Sequence, residues 1–365
     1  MQIGRGKGMK DRQCVRDRIN RLRLLMLERR MEALLVTRRE NVQYLTGFTG
    51  SSGSVLVSLK RLLLVTDFRY MLQARAEAPG VSLAIQKKEW ASTIKKAAER
   101  IGAGRLWFDE SGVTVEAAGR LKKAGLVVKG APDIVAELRQ KKDEAELSAI
   151  RRAIVRAEES FFEIRRLIRP GASERDIAIR LEYLMRSKGA RRQAFETIVA
   201  SGVNGAMPHA STTARCIRQG DLVTIDFGAE ADGYYCDITR TVCAGRPTKK
   251  QREVHGIVQA ARQAAIDSIR PGTECGAVDA VARRIIKKAG YGRYFGHATG
   301  HGVGLMVHEG PVVSARSRSR MDVGMVVTIE PGIYIPGWGG VRIEDMVLVT
   351  DTGADVLTSL PRDLL

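Results

Sequence analysis

Cysteine is scarce in this sequence of 365 residues, with five copies at positions 14, 216, 236, 243 and 275. No two of them form a CxxC pair, so their spacing excludes a disulfide framework of the secreted type. The sequence also lacks the apolar segment and small-residue cleavage site of a secretion signal. Long apolar runs are missing as well, and we therefore expect a cytoplasmic protein with no membrane partner.

Acidic residues are few relative to basic ones, 41 against 60, and the formal net charge is +19. Such an excess attracts nucleic acid where lysine and arginine are clustered. Part of the excess is local, because residues 1–40 hold twelve basic and five acidic residues and SARSRSR at 314–320 adds three arginines. No zinc finger, RNP-like aromatic strand or basic zipper organises the rest, so we interpret the charge as solvated surface and expect no nucleic-acid partner.

The first informative stretch is GDLVTIDFGAEADGYYCDITRTVC at 220–243, which carries Asp226 and Asp237 on either side of the hairpin signal Asp232-Gly233. A four-residue loop would place the two aspartates directly opposite each other, whereas a two-residue turn would place them diagonally on one face. In either register, like charges among apolar neighbours require a proton or a cation between them. The alternative is a solvated hairpin face with ordinary surface acids.

A second stretch, VVTIEPGIYIPGWGGVRIEDMVLV at 326–349, repeats the pattern. Folding this hairpin about Gly337 places Glu330 opposite Glu344. The segment FGHATGHGVGLMVHEGP between the hairpins holds three of the five histidines. His301 stands between two glycines. Because glycine has no side chain, neighbouring groups can lie close to the backbone on both sides of His301, which suits a metal ligand.

Four carboxylates and one imidazole form a hard, oxygen-rich ligand set. This set suits two adjacent divalent cations such as manganese, cobalt or iron, and it fits a structural zinc site poorly. Two such ions neutralise four negative charges and leave room for a bridging hydroxide, so the expected chemistry is two-metal hydrolysis.

The order of these residues resembles that of the metallopeptidase family of aminopeptidase P, prolidase and methionine aminopeptidase. The motifs that carry the resemblance are TIDFGA, DITRTV, ATGHGVG, TIEPGIY and GVRIEDMVLV, and the likeness runs from about Arg38 to the C-terminus. It implies that Asp226 holds one metal, that His301 and Glu330 hold the other, and that Asp237 and Glu344 bridge both. Two ions per chain are implied, with manganese expected first and cobalt, iron or zinc as alternatives.

The resemblance also implies roles for residues around the metals. Glu330 matches the family's proton-transferring carboxylate, and His308 in LMVHE matches a histidine that stabilises the developing oxyanion. His209 in NGAMPHA matches a histidine near the substrate, and for both histidines the alternative is a buried, hydrogen-bonded imidazole. His297 is expected to line the pocket for the proline ring. Independently of the resemblance, Arg342 lies two residues before Glu344 on the same strand face and is expected to orient a carboxylate or bind substrate.

The pattern of elements predicts an α/β (α+β) chain of two domains. Alternating helices and strands, with SVLVSL and LLLVTD at 54–66 as a strand pair, indicate an α/β domain at 1–138 that resembles the N-terminal creatinase-like domain of prolidases. We expect its basic start, before about Asp11, to be disordered.

A second domain, at 139–365, is expected to open with a helix after the charged KKDE run. Two helix pairs, separated by RPGAS and RPGTE, suggest two pseudo-symmetric halves over a curved sheet. This is the pita-bread fold that the resemblance implies. His255, in one of these helices, is expected on the helix surface.

The resemblance implies an enzyme that hydrolyses the Xaa-Pro bond at the N-terminus of peptides through a metal-bridging hydroxide. An Xaa-Pro aminopeptidase is the first prediction, and an Xaa-Pro dipeptidase (prolidase) is the alternative. Proline-containing peptides are the expected partners, and the resemblance favours a homodimer. A metal-free creatinase-like hydrolase is opposed by the five ligands, and a non-catalytic ribosome- or nucleic-acid-binding relative would usually have lost some of them.

Overall fold

A computed structural model describes residues 5–363 of the chain, with side chains from residue 13 onward. The chain divides into two compact units, Met1–Arg139 and Gln140–Leu365. The expected disordered start falls partly on residues 1–4, which lie outside the described residues, and the backbone is helical from Arg5. Within the described part, none of the helices has the length and apolarity required to span a membrane.

The first unit is an α/β sheet domain, as predicted. Its strands are β1 (Ala33–Val36), β2 (Gly53–Ser58), β3 (Leu62–Asp67), β4 (Ser82–Gln86), β5 (Leu106–Asp109) and β6 (Val128–Ala131). Its helices are α1 (Arg5–Glu28), α2 (Arg39–Thr46), α3 (Met71–Glu77), α4 (Trp90–Ile101), α5 (Val115–Lys123) and α6 (Ile134–Arg139). The sheet order is β4-β3-β2-β1-β5-β6. The predicted strand pair is confirmed, because β2 and β3 pair antiparallel.

Helix α4 shows how the sequence forms this unit. Glu89 caps it by accepting a hydrogen bond from the amide of Ser92 at 2.8 Å, which satisfies one free N–H of the first turn. Ala91, Ile94 and Ile101 recur at helical spacing and are buried in the core under the sheet. The amphipathic stripe thus fixes which face of α4 packs inward.

The second unit contains four long helices and short strands arranged in small sheets. The helices are α7 (Glu144–Ile164), α8 (Glu174–Ser187), α9 (Lys249–Asp267) and α10 (Cys275–Lys288). The strands of the first half are β7 (Arg192–Gln193), β8 (Ile198–Ser201), β9 (Leu222–Phe227), β10 (Ala229–Ala231), β11 (Tyr234–Tyr235) and β12 (Ile238–Cys243). Those of the second half are β13 (Gly300–Gly302), β14 (Glu309–Val313), β15 (Val326–Ile329), β16 (Gly332–Ile335), β17 (Gly339–Arg342), β18 (Asp345–Val349) and β19 (Ala354–Val356).

The charged run at 141–144 does begin a helix. Asp143 is the N-cap of α7, and Asp143 and Glu146 form a reciprocal capping box with bonds of 3.0 and 3.1 Å. Among the helices, the expectation for His255 is wrong, since this residue on α9 is only 8% exposed. It lies on a buried stripe with Gln251, Val258 and Arg262, and the polar members of that stripe hide its helical periodicity.

The two Pro-Gly loops adopt the same local structure. Gly171 and Gly272 both have positive φ, 90° and 85°. The amide of each donates to a distant carbonyl, that of Ile217 at 2.9 Å and that of Met321 at 2.8 Å respectively. Each loop then leads into α8 or α10. This repetition agrees with the predicted pseudo-symmetric halves.

The first predicted hairpin has a two-residue turn. Asp232 and Gly233 have φ values of 54° and 87°, as a type I′ turn requires, and Ala231 pairs with Tyr234. The same register continues into β9 and β12, where Asp226 lies opposite Thr239. Asp237 is therefore diagonal to Asp226 on one face, and the directly opposed arrangement is wrong.

The second hairpin has the predicted register. Ile329 pairs with Asp345 on one side of the carboxylates, and Gly332 pairs with Arg342 on the other. Both pairs are centred on residue 337, so Glu330 and Glu344 occupy opposite positions. The hairpin therefore presents a second pair of carboxylates from neighbouring chain segments.

Candidate metal centre

The five side chains predicted to bind metal come together in the second unit. Candidate ligand atoms lie within 4.8 Å of one another in three overlapping groups, which are Asp226, Asp237 and Glu344; His301, Glu330 and Glu344; and Asp237, His301 and His308. Asp237, Glu344 and His301 each belong to two groups. For the two carboxylates this overlap is compatible with the predicted bridging positions, although the role of each residue stays a prediction.

Thr239 joins the two hairpins. Its hydroxyl donates to Glu344 Oε2 at 2.7 Å, and its carbonyl accepts a hydrogen bond from the amide of Glu344 at 3.1 Å. Both residues are buried, so neither bond competes with solvent. The second pair of carboxylates is thereby held against the first.

His301 reaches the carboxylates because its neighbours have no side chains. A Cβ on Gly300 would lie 1.9 Å from the carbonyl oxygen of Thr328, and one on Gly302 would lie 2.1 Å from that of Gly310. Strand β13 is therefore enclosed on both sides, as expected from the flanking glycines. The imidazole Nε2 lies 3.3 Å from Glu330 Oε1 and 3.6 Å from Asp237 Oδ2.

Thr328 orients both partners of this contact. Its hydroxyl oxygen accepts a hydrogen bond from the amide of His301 at 3.0 Å and donates to Glu330 Oε1 at 3.1 Å. The Nδ1 atom of His301 lies 3.1 Å from the carbonyl oxygen of Gly302, which favours Nδ1–H and leaves Nε2 facing the carboxylates.

The electrostatics of the centre are those of crowded carboxylates. Burial raises the pKa of Asp237 well above its usual value, and the charge of Asp226 raises it further. Burial and the charge of Asp237 do the same to the pKa of Glu344. Burial also acts to raise the pKa of Glu330, but the hydrogen bond and charge of His301 outweigh it and lower this pKa. Burial opposes the charge on His301, yet Glu330 raises the pKa of this imidazole to about 9.

These observations fit divalent cations. Asp226 Oδ1 is buried without a hydrogen-bond partner, although Asp226 Oδ2 accepts from Arg342 at 2.7 Å. Raised pKa values at Asp237 and Glu344 mean that their negative charges lack compensation within the protein. Carboxylate oxygens with one imidazole nitrogen are ligands that manganese, iron and cobalt accept.

The other predicted site residues surround the centre. The His308 ring lies 4.3 Å from that of His301, and burial together with the charge of His301 lowers the pKa of His308. The charge of His209 also acts on His308 and His297, so this third histidine lies near both. Arg342 is buried beside Asp226, and its other Nη donates to the carbonyl of Pro208 at 3.0 Å.

Tyr334 was missed by the sequence prediction. Its hydroxyl accepts from Arg342 Nη1 at 2.9 Å and lies 2.9 Å from His297 Nε2. His297 Nδ1 lies 2.7 Å from the carbonyl of Ala298, so Nδ1 carries the hydrogen and the Tyr334 hydroxyl donates to Nε2. Burial raises the pKa of Tyr334 to about 12, which keeps it a donor.

The supporting threonines were missed too. Strand alternation holds the signal that would have identified them, because Thr239 is two residues after Asp237 and Thr328 is two residues before Glu330. Each therefore shares a face with a candidate ligand. For Tyr334 the hairpin register holds part of the signal, because Arg342 pairs with Gly332 and is therefore diagonal to Tyr334, whereas His297 comes from a separate segment.

Comparisons with known proteins agree with this geometry. The family model described as Metallopeptidase family M24 matches residues 148–351, and that of the Creatinase/Prolidase N-terminal domain matches residues 18–141. An Xaa-Pro dipeptidase of Pyrococcus furiosus is 37% identical, over 96% of this chain and all of its own length.

Solved structures give the same result. An Xaa-Pro dipeptidase from Bacillus anthracis is 39% identical, with a TM-score of 0.93 over 96% of this chain and 99% of that one. An X-Pro aminopeptidase from Thermotoga maritima is also 39% identical, with a TM-score of 0.86 over 91% and 96% of the two chains. The predicted fold, a creatinase-type domain followed by a pita-bread domain, is confirmed. This chain belongs to metallopeptidase family M24 and is a peptidase of the divalent-metal type.

Proposed function

We propose that the protein is an Xaa-Pro dipeptidase, a prolidase, that uses two divalent ions per chain. The observation that carries this is the convergence of Asp226, Asp237, His301, Glu330 and Glu344 on one buried centre. Dipeptidase is preferred to the aminopeptidase placed first on sequence grounds, because relatives named Xaa-Pro dipeptidase match nearly the whole chain.

In this proposal Asp226 binds one ion, His301 and Glu330 bind the other, and Asp237 and Glu344 contribute to both. Manganese is proposed as the metal. When bound, the ions would supply Lewis-acid polarisation of the scissile carbonyl and would lower the pKa of a bound water molecule.

Glu330 is the proposed proton carrier. A glutamate carboxylate is ordinarily ionised at neutral pH and can accept a proton from water. The same carboxyl group then donates that proton to the proline nitrogen as the peptide bond breaks. The hydroxyl of Thr328 holds Glu330 in place for both transfers.

His308 is the proposed oxyanion donor. It belongs to the same ligand-atom group as Asp237 and His301, and it is the most exposed member of that group. Its lowered pKa makes it a neutral imidazole at pH 7, which has one N–H to donate to the developing oxyanion.

His209 and His297 are proposed to contact the substrate on either side of its proline ring. Tyr334 fixes the ring of His297 through the hydrogen bond to Nε2. Arg342 links this group to the metal centre, since it binds both Tyr334 and Asp226. A shaped pocket matters for this substrate because the proline nitrogen has no hydrogen to donate.

Substrate length provides the test. A dipeptidase binds the free carboxylate of the second residue, whereas an aminopeptidase accepts a continuing chain. We expect the manganese-loaded protein to cleave Xaa-Pro dipeptides and to leave Xaa-Pro-Yaa-Zaa and Xaa-Ala intact. Efficient cleavage of the tetrapeptide would instead support an Xaa-Pro aminopeptidase, the activity named for the Thermotoga maritima structure.

Metal analysis tests the centre itself. We expect about two manganese ions per chain after dialysis of the loaded protein, and fewer, without activity, in Asp237→Asn. Full activity in the metal-free protein would support the creatinase-like alternative. Retention of RNA without metal or activity would support a binding protein.

A further inference from the structure

A buried arginine cluster lies directly behind Glu344. Asp345, the next residue, is fully buried and forms ion pairs with Arg240, Arg262 and Arg362. Three guanidinium groups facing one carboxylate leave a surplus of positive charge. That surplus lies next in the chain to Glu344, one of the four carboxylates of the centre.

Arg240 uses all five of its N–H donors. Nη1 donates to the carbonyl oxygens of Thr239 at 2.9 Å and Glu344 at 2.5 Å. The remaining donors bind Asp345 Oδ1 and the carbonyl oxygens of Leu360 and Pro361, at 2.8, 3.0 and 3.0 Å respectively. A planar guanidinium thus ties the backbone of a candidate ligand to the C-terminal segment 358–362.

The C-terminal segment 358–362 is itself anchored. Thr358 Oγ1 donates to Asp345 Oδ1 at 2.6 Å, and Arg362 donates to both oxygens of Asp345 at 2.8 and 3.0 Å. On the other side, Glu158 of α7 accepts hydrogen bonds from the Ser359 hydroxyl at 2.5 Å and the Leu360 amide at 3.1 Å. The segment therefore reaches the metal centre by two routes, through the carboxylate of Asp345 and through the guanidinium of Arg240.

We propose that Asp345 and Arg240, held by the C-terminal segment 358–362, are positioning residues that fix Glu344 for metal binding. The inference rests on the metal centre proposed above. Glu344 is held through its side chain and amide by Thr239 and through its carbonyl by Arg240. Groups that orient a ligand in this way change metal affinity about 10- to 100-fold when they are removed.

Titration calorimetry of manganese into the metal-free protein tests this without measuring catalysis. We expect Asp345→Asn to raise the Kd about 10- to 100-fold. Thr358→Val keeps the shape of the side chain and removes only the 2.6 Å bond, so we expect a rise at the lower end, about tenfold. The matched control is Glu230→Gln, which neutralises a carboxylate buried to 1% exposure whose arginine partners are Arg191 and Arg192. Its Kd should equal that of the wild type.

A purely structural role predicts a different pattern. All three variants would then lose melting temperature, and none would change its manganese Kd, which would overturn the inference. If Asp345→Asn does not fold, Thr358→Val alone decides, and an unchanged Kd in it refutes the positioning role. Failure of the proposed metal centre is distinct from either result, because the wild-type protein itself would then bind no manganese, and failure of the dipeptidase assignment would appear only in the substrate-length assay.

Discussion

The Asp237→Asn substitution should have opposite effects on the metal-free and the metal-loaded protein. Asp237 is 5% exposed, and burial together with Asp226 raises its pKa well above that of an ordinary aspartate. A raised pKa stabilises the folded protein at low pH, and this contribution is lost as the pH rises through the raised value. The metal-free variant should therefore melt at a higher temperature than the metal-free wild type in alkaline buffer, since asparagine cannot ionise.

Manganese reverses this ranking. Free metal at a hundredfold excess over its Kd stabilises a folded protein by about 2.7 kcal/mol. For a unit the size of Gln140–Leu365, each kcal/mol raises the melting temperature by about 2–4 °C, so the wild type should gain about 5–11 °C. The variant lacks one carboxylate shared by two ligand groups and should gain little.

Scanning calorimetry at pH 9, with and without manganese, measures both effects. Metal-free Asp237→Asn should melt above metal-free wild type, and loaded wild type above loaded variant. A metal-free variant that melts lower, or one that keeps the full manganese shift, would refute the assignment of Asp237 to a crowded metal-binding centre.

Three further predictions follow from the same geometry. Manganese binding at pH 7 should release protons and become tighter as the pH rises, because His301, with a pKa of about 9, must lose its proton to bind the metal. Calorimetry in buffers of different ionisation enthalpy measures the proton release. A pH-independent Kd would contradict this prediction. Gly302→Ala should lower the free energy of unfolding by about 1–3 kcal/mol in urea, because the added Cβ would lie 2.1 Å from the carbonyl oxygen of Gly310. The control Gly256→Ala in α9 adds a Cβ in open space and should raise the free energy of unfolding by about 0.5–1 kcal/mol. Tyr334→Phe leaves the buried Arg342 and the half-buried His297 without their shared hydroxyl, so the free energy of unfolding should fall by about 1–3 kcal/mol. An unchanged urea midpoint would show that the hydroxyl is dispensable.

The two hairpins differ in how far local sequence signals determine their pairing register. The second has a single turn centre at Gly337, and the sequence predicts the register that the structure shows. The first offered two loop lengths, and positive φ at both Asp232 and Gly233 selects the two-residue turn. Asparagine, aspartate and glycine tolerate that conformation, but tolerance alone does not specify a register.

Burial was harder to predict than element type. The helix that contains His255 was expected, yet its buried face includes glutamine, histidine and arginine, which an apolar stripe does not reveal. Arg342 was expected near a carboxylate because it shares a strand face with Glu344. Its actual partner, Asp226, lies on the other hairpin, 116 positions away in the chain.

By itself, the sequence determined which residues are candidate ligands, their order, the start of α7 at the charged KKDE run and the register of the second hairpin. These features depend on local backbone preference and on the two-residue period of a strand, both of which act between near neighbours. Only the tertiary structure decided that Thr239 joins the hairpins, that Tyr334 links His297 to Arg342 and that Arg240 binds the C-terminal segment. Such contacts depend on how distant segments pack, and the low dielectric of the packed interior is also what shifts the pKa values of Asp237 and Glu344.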